Sequence, residues 1–316
     1  MLVNGKWDAD WHPVQNKDEQ GRFIRQTSSF RNWITPDGTP GPTGKGGFKA
    51  EPGRYHLYAA LICPWASRVL AVLALKGLTR YISVTIVNPQ LSEQGWQFGG
   101  YEGAEPDPML HATYLHEIYS KADTGFTGRA TVPVLWDKQQ QTIVNNESAD
   151  IVRMLNTAFS GYTQHGPNLY PAHLAKDIDQ WNDVIYARLN NGVYQAGFAS
   201  SQQAYNEAFD NVFSMLEQLE SALDDGRKYL LGDQLTETDI RLFVTLVRFD
   251  AAYYSLFKCN KKHIRDYQYL HRYMLRIMQL DGMAGTVSIN HIKAGYYSIK
   301  ALNPSGIIPK GPELSL

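Results

Sequence analysis

Leu57-Tyr58-Ala59-Ala60-Leu61-Ile62-Cys63-Pro64-Trp65-Ala66-Ser67-Arg68 decides the reading of this chain, because an apolar run ends in Cys-Pro just where a helical pattern begins. Residues 55–61 are aromatic and aliphatic without a charge, the composition of a buried strand. From Arg68 onward Val69, Leu70, Val72, Leu73 and Leu75 follow a helical period, and Gly77 suits the left-handed position that closes a helix. Pro64 fits the first turn, where an N–H would lack an intrahelical partner anyway. Cys63 is thus predicted at a helix N-terminus, where free N–H groups and the helix dipole favour an anion. That placement lowers a thiol's pKa. A lone cysteine can also be a buried structural residue, but the strand–Cys-Pro–helix context favours a reactive thiol.

A dithiol redox site would carry its second cysteine at position 66, which here is Ala66. The other cysteine is Cys259, far downstream. A mixed disulfide formed at Cys63 therefore calls for an external thiol, and glutathione is the abundant candidate.

Composition narrows the class. The chain has 316 residues, enough for two packed domains, with 43% hydrophobic and 19% charged residues as in globular proteins. Thirty basic residues stand against 31 acidic ones, so bulk charge argues for neither nucleic acid nor a membrane surface as partner. Two cysteines cannot build a disulfide framework, which suits a reducing compartment. Met1-Leu2-Val3-Asn4-Gly5-Lys6-Trp7-Asp8 does not read as a secretory signal, and there is no apolar run of about 18 residues for a membrane helix. A cytoplasmic location is expected. Nineteen tyrosines and seven tryptophans form the unusual bias, suited to core, interface or an aromatic ligand's pocket.

Residues 1–50 are rich in Gly, Pro and charge, yet Trp7, Trp11, Phe23, Phe30 and Trp33 are too many large aromatics for a solvated linker. They are expected to form an extension packed on the domains. Residues 82–87 alternate like a second strand, and 88–127 form a polar insert with room for a short helix within 108–122. Residues 131–137 and 142–145 read as two strands joined by a polar turn, followed by a helix whose start signal is Asn146-Glu147-Ser148-Ala149-Asp150. The order β-α-β-(insert)-β-β-α is thioredoxin-like and is assigned to residues 51–160. Residues 168–316 read as helical. Leu174, Ile178, Trp181, Ile185 and Leu189 mark one long amphipathic helix, and Phe209, Val212, Phe213, Leu216, Leu219 and Leu223 a second. Thr236 and Asp239 have the spacing of an acidic capping box, with Leu235 and Ile240 placed as a hydrophobic staple.

A thioredoxin-like half with Cys-Pro and an all-helical half with Thr-x-x-Asp together resemble a cytosolic glutathione transferase. More specific are Gly21-Arg22-Phe23-Ile24-Arg25, Phe30-Arg31-Asn32-Trp33-Ile34-Thr35, Gly53-Arg54-Tyr55-His56-Leu57-Tyr58 and Cys63-Pro64-Trp65-Ala66. With Asn190-Asn191-Gly192-Val193-Tyr194-Gln195-Ala196-Gly197-Phe198-Ala199 and Asn303-Pro304-Ser305-Gly306-Ile307-Ile308-Pro309, they resemble the glutathionyl-hydroquinone reductases, the Xi class. The likeness spans nearly the whole chain. Ser67 stands where the family usually has His, Gly295-Tyr296-Tyr297 where it tends to read His-Tyr-Tyr, and Ser298-Ile299-Lys300 lacks the usual downstream His.

The resemblance implies glutathione as co-substrate, a glutathionyl-hydroquinone as the second small molecule, and Cys63 as nucleophile. It implies Tyr194 and Tyr296, or its neighbour Tyr297, as the hydroxyls that serve the aryl leaving group; without it each is as readily a core aromatic. It further implies a cis-proline at Pro133, so that Val132 binds the cysteinyl backbone of glutathione. Glu147 and Ser148 correspond to the acid–hydroxyl pair for the γ-glutamyl end, although Ser148 could also be a plain helix cap. Trp96 and Arg129 are weaker assignments to the same ligand, Arg129 being equally suited to a solvated surface. A homodimer is implied, with the apolar segment after residue 285 as a candidate contact. No zinc spacing or phosphate loop is present: His111 and His116, or Cys259 and His263, are isolated pairs, and Gly44-Lys45-Gly46-Gly47 lacks a preceding strand. Two alternatives remain: an omega-like thioltransferase or dehydroascorbate reductase using Cys63, and a non-catalytic scaffold.

Overall fold

The computed structural model describes residues 1–9, 17–163 and 165–313; Trp11, counted above among the aromatics of the extension, lies outside the described residues. The chain divides into two compact units, Met1–Pro13 with Thr27–Gly166, and Val14–Gln26 with Pro167–Leu316.

In the first unit a small hairpin pairs β1 (Leu2–Val3) with β2 (Lys6–Trp7). The main sheet contains β3 (Tyr55–Ala59), β4 (Ser83–Ile86), β5 (Val134–Asp137) and β6 (Thr142–Asn145), in the order β4-β3-β5-β6. β4 runs parallel to β3, whereas β5 is antiparallel to both β3 and β6. All five residues of β3 are buried, the mark of a central strand covered on both faces. Residues 131–133, expected to open β5, stay outside it; Pro133 has no N–H to give a ladder. Helices α1 (Pro64–Leu75), α2 (Leu115–Ala122) and α3 (Ser148–Thr157) complete the unit.

α1 begins and ends as its residues dictate. Pro64 is its first residue. At the other end Gly77, at φ +60°, donates to Ala74 O, and Leu78 N reaches Leu73 O. These paired bonds close the last turn in a Schellman motif. The segment after residue 27 is fastened to α3 and β6: Arg31 forms a two-pronged ion pair with Asp150, and Asn32 N donates to Val144 O.

The second unit is helical: α4 (Ala175–Ile185), α5 (Gly192–Gly197), α6 (Gln202–Ala222), α7 (Glu237–Arg248), α8 (Gln268–Met278) and α9 (Ile289–Tyr297). The single helix expected across Leu174 to Leu189 is not continuous. A 3-10 turn, Ala172–Leu174, leads into α4, and a π-helical turn, Tyr186–Asn190, follows it. Asn191 N bonds Tyr186 O, one residue farther back than an α-helix allows, so the turn takes in an extra residue while Leu189 stays buried. A second π turn, Phe249–Tyr253, follows α7, with Tyr254 N on Phe249 O.

The start of α7 is the polar anchor of this unit. Asp239 Oδ2 accepts Thr236 N at 2.8 Å and Thr236 Oγ1 at 2.9 Å, while Oδ1 accepts Leu230 N at 2.9 Å and the Tyr273 hydroxyl at 2.7 Å. Leu235 and Ile240 are buried beside it. Asp239→Ala removes a cap and leaves buried donors unpaired, so the expected loss of stability is about 3 kcal/mol or more. Urea unfolding followed by tryptophan fluorescence measures it, and a loss below about 1 kcal/mol would contradict the anchoring role.

Candidate active site

Cys63 is the residue from which α1 starts. Its backbone is extended (φ −77°, ψ 118°), its N–H donates to Ala60 O, its own carbonyl accepts Ser67 N, and its side chain makes no cap bond. The Sγ is left at the positive end of a twelve-residue helix and is half-buried. It lies 3.6 Å from the carbonyl of Val132, whose peptide bond to Pro133 is cis. Cys63 and Val132 are therefore brought together by the α1 start and the turn into β5. Cys259 is different in kind: it is fully buried, and burial pushes its thiol up to about 12.

The start of α3 departs from expectation in one respect. Glu147, not Ser148, is the N-cap: Glu147 Oε1 accepts Ala149 N at 3.1 Å, and Ser148 is the first helical residue. A carboxylate at this position can reach past its neighbour to the second N–H, which leaves the serine hydroxyl inside the first turn. Ser148 Oγ donates to Glu147 Oε1 at 3.5 Å, Ser28 Oγ donates to Oε2 at 2.9 Å, and Asn145 Oδ1 accepts Glu147 N at 2.7 Å. Glu147 is thus a held carboxylate at a helix start. Trp96 is half-buried in the 88–127 insert, where its carbonyl accepts Leu115 N, and Arg129 is half-buried near the Met1 ammonium, whose pKa burial lowers first and Arg129 charge lowers further.

In the second unit the tyrosines form a hydroxyl chain. Tyr194 and Tyr296 oxygens are 2.6 Å apart, and Tyr296 and Tyr253 oxygens 2.8 Å apart. Tyr296 and Tyr253 are buried and Tyr194 is half-buried. Burial holds both Tyr253 and Tyr296 well above the ordinary phenol range, the neighbouring Tyr194 adds to that, and Arg248 opposes it. Phe257 packs on all three rings, with centroids 5.1–5.5 Å away. Gly197 makes room for it: a Cβ there would stand 2.4 Å from the Phe257 ring.

Tyr297 does not join this chain. Its hydroxyl bonds Ser255, and burial raises its pKa. Tyr253 was not singled out from the sequence. Phe249-Asp250-Ala251-Ala252-Tyr253-Tyr254 reads as the buried continuation of α7, and only the π turn aims Tyr253 at Tyr296. Among the described residues no group of three or more His, Cys, Asp or Glu side chains is arranged to hold a metal ion.

Two family models match the chain: the glutathione S-transferase N-terminal domain over residues 62–158 and the C-terminal domain over residues 202–276. The chain is 50% identical over 314 residues to glutathionyl-hydroquinone reductase YqjG of Escherichia coli (strain K12), covering 99% of this chain and 95% of the relative. The solved glutathione-bound structure of YqjG from Escherichia coli K-12 matches with a TM-score of 0.92 at 47% identity, over 100% of this chain and 96% of that one. The crystal structure of glutathione-S-transferase Xi from Phanerochaete chrysosporium matches with a TM-score of 0.88 at 45% identity, over 94% of each chain. The chain belongs to the glutathionyl-hydroquinone reductases, the Xi class of glutathione transferases.

Proposed function

We propose that this protein reduces glutathionyl-hydroquinones to hydroquinones, with Cys63 as nucleophile and glutathione as the reductant. Glutathione meets the first unit through the backbone of Val132 and through the α3 start. There Ser148 and the first-turn N–H groups suit its γ-glutamyl carboxylate, and the Glu147 carboxylate suits the α-ammonium. Trp96 and Arg129 pack on and charge-pair with the rest of the tripeptide.

An aryl carbanion is too basic to leave unaided, so the ring carbon that bears sulfur must gain a proton. A tyrosine hydroxyl gives that proton and takes one back from the adjacent ring hydroxyl, which turns the substrate into its keto form. The Cys63 thiolate then attacks the glutathionyl sulfur. The C–S electron pair passes into the ring, and the departing hydroquinone anion takes its proton from solvent. The Cys63–glutathione disulfide is cleaved by a second glutathione thiolate, giving oxidised glutathione and the free Cys63 thiolate. The observation that carries this reading over simple disulfide exchange is the hydroxyl chain Tyr194–Tyr296–Tyr253, because exchange between sulfurs has no carbon to protonate. Tyr296, rather than Tyr297, takes this role in the proposal.

The protein works in the cytoplasm, where glutathione is reduced, and as a homodimer. Ile307, 71% exposed, and Ile308, 43% exposed, support an apolar contact near the C-terminus. Light scattering on the eluting protein should give twice the chain mass of 35.7 kDa at micromolar concentration; a single-chain mass would overturn the dimer.

Cys63→Ser should abolish hydroquinone release from a synthetic glutathionyl-hydroquinone and abolish the covalent glutathione adduct seen by intact-protein mass spectrometry. An adduct on Cys259, or an active Cys63→Ser protein, would refute the assignment. The tyrosines are tested by two assays run together, hydroquinone release and exchange with hydroxyethyl disulfide. Tyr194→Phe with Tyr296→Phe should lower release about a hundredfold or more while exchange falls by a small factor, and Tyr297→Phe should leave both near wild type. Equal losses in the two assays would instead favour an omega-like thioltransferase.

A further inference from the structure

We infer that Arg25 is a positioning residue for the aryl step, acting through Tyr194 by holding its ring and offsetting the negative charge that its oxygen carries when the proton moves. The inference rests on the function proposed above and assigns a role to the Gly21-Arg22-Phe23-Ile24-Arg25 segment, which that mechanism leaves unused.

The guanidinium carbon of Arg25 stands 4.7 Å from the centroid of the Tyr194 ring, within the range of a cation–π contact, and 5.4 Å from that of Phe23. Its Nε donates to Asn191 Oδ1 at 3.0 Å, and Asn191 is the residue from which the Tyr194 helix α5 begins. One side chain therefore touches both the start of α5 and the face of its reactive ring. The segment carrying it is itself fixed. Arg22 grips Glu207 of α6 through Nε at 3.0 Å and Nη2 at 2.8 Å. Gln20 O accepts Ser201 Oγ, the cap of α6, and Gly21 O accepts Ser200 N. Gly21 sits at φ +81°, and a Cβ there would meet Ser200 Oγ at 2.7 Å, so the close approach depends on glycine.

The location of the charge gives the contact its meaning. Tyr253 and Tyr296 are buried, and burial disfavours a phenolate on either. Tyr194 is the half-buried member of the chain and the one whose ring Arg25 covers, so the inferred role places the proton transfer at its oxygen. A cation over that ring attracts the neutral phenol, and the phenolate more strongly, and the difference is a contribution to the transition state.

The test uses Arg25→Gln and Arg25→Lys in the full-length protein, each assayed for hydroquinone release and for hydroxyethyl disulfide exchange. Arg25→Gln should lower kcat for release roughly tenfold with KM and disulfide exchange within about twofold of wild type. Arg25→Lys, which keeps the charge, should recover part of the loss. In the Tyr194→Phe background Arg25→Gln should cost less than about twofold, because the hydroxyl it serves is gone. Equal losses in both assays, losses that multiply in the double variant, or a lysine variant as poor as the glutamine one would overturn the inference. If the wild-type protein exchanges disulfides but releases no hydroquinone, the proposed function fails, and this role with it.

Discussion

The structure depends on how its helix starts dispose of N–H groups that have no partner within the helix. At α7 the Asp239 carboxylate accepts the N–H of Thr236 at the helix start, that of Leu230 before it, and two hydroxyls. At α3 Glu147 performs a lighter version of the same task and is itself steadied by Ser28. At α1 the capping position is taken by a cysteine that makes no cap bond, with a proline after it. The electrostatic preference of that helix end for an anion is therefore directed at sulfur. One helix start is anchored by a carboxylate, and another holds the cysteine that the proposed function uses as its nucleophile.

A second constraint governs the tyrosine cluster. A buried hydroxyl must find a partner or cost about 1–3 kcal/mol, and Tyr253 and Tyr296 meet that demand with each other and with Tyr194. The aromatic packing around Phe257 keeps those oxygens in contact, and both π turns serve the same end. One lies directly before α5, which carries Tyr194, and the other contains Tyr253. An extra residue in a helical turn re-aims everything after it, which is why such turns often appear where side chains must converge.

Much of this was legible in the residues. Cys-Pro after an apolar strand predicted the α1 start, Gly77 its end, and Thr236 with Asp239 the start of α7, because each depends on a local rule acting within a few positions. What was not legible depends on contacts between distant segments. The apolar spacing from Leu174 to Leu189 is compatible with an unbroken helix, and the π turn at Tyr186–Asn190 leaves that spacing almost unchanged. Tyr253 looked like any buried aromatic on the α7 face. Glu147 and Ser148 were both visible at the start of α3, but which of them caps is a matter of side-chain reach. Arg25 lies in a segment with no periodicity, and its partners Asn191 and Tyr194 are more than a hundred and sixty positions away.

The two thiols complete the chemical logic. Disulfide exchange requires an attacking thiolate that can reach the sulfur it attacks. Cys259 fails on both counts, being fully buried with its thiol raised to about 12, and position 66 offers Ala66 where a resolving cysteine would stand. On the proposed mechanism the chain can therefore form its mixed disulfide but not resolve it, and a second glutathione has to enter from solution. That requirement fits a Cys63 that is half-buried, and of the three chained tyrosines only Tyr253 and Tyr296 are buried. The sulfur must admit a second reactant after the first has reacted, whereas the proton transferred to carbon is better guarded from water.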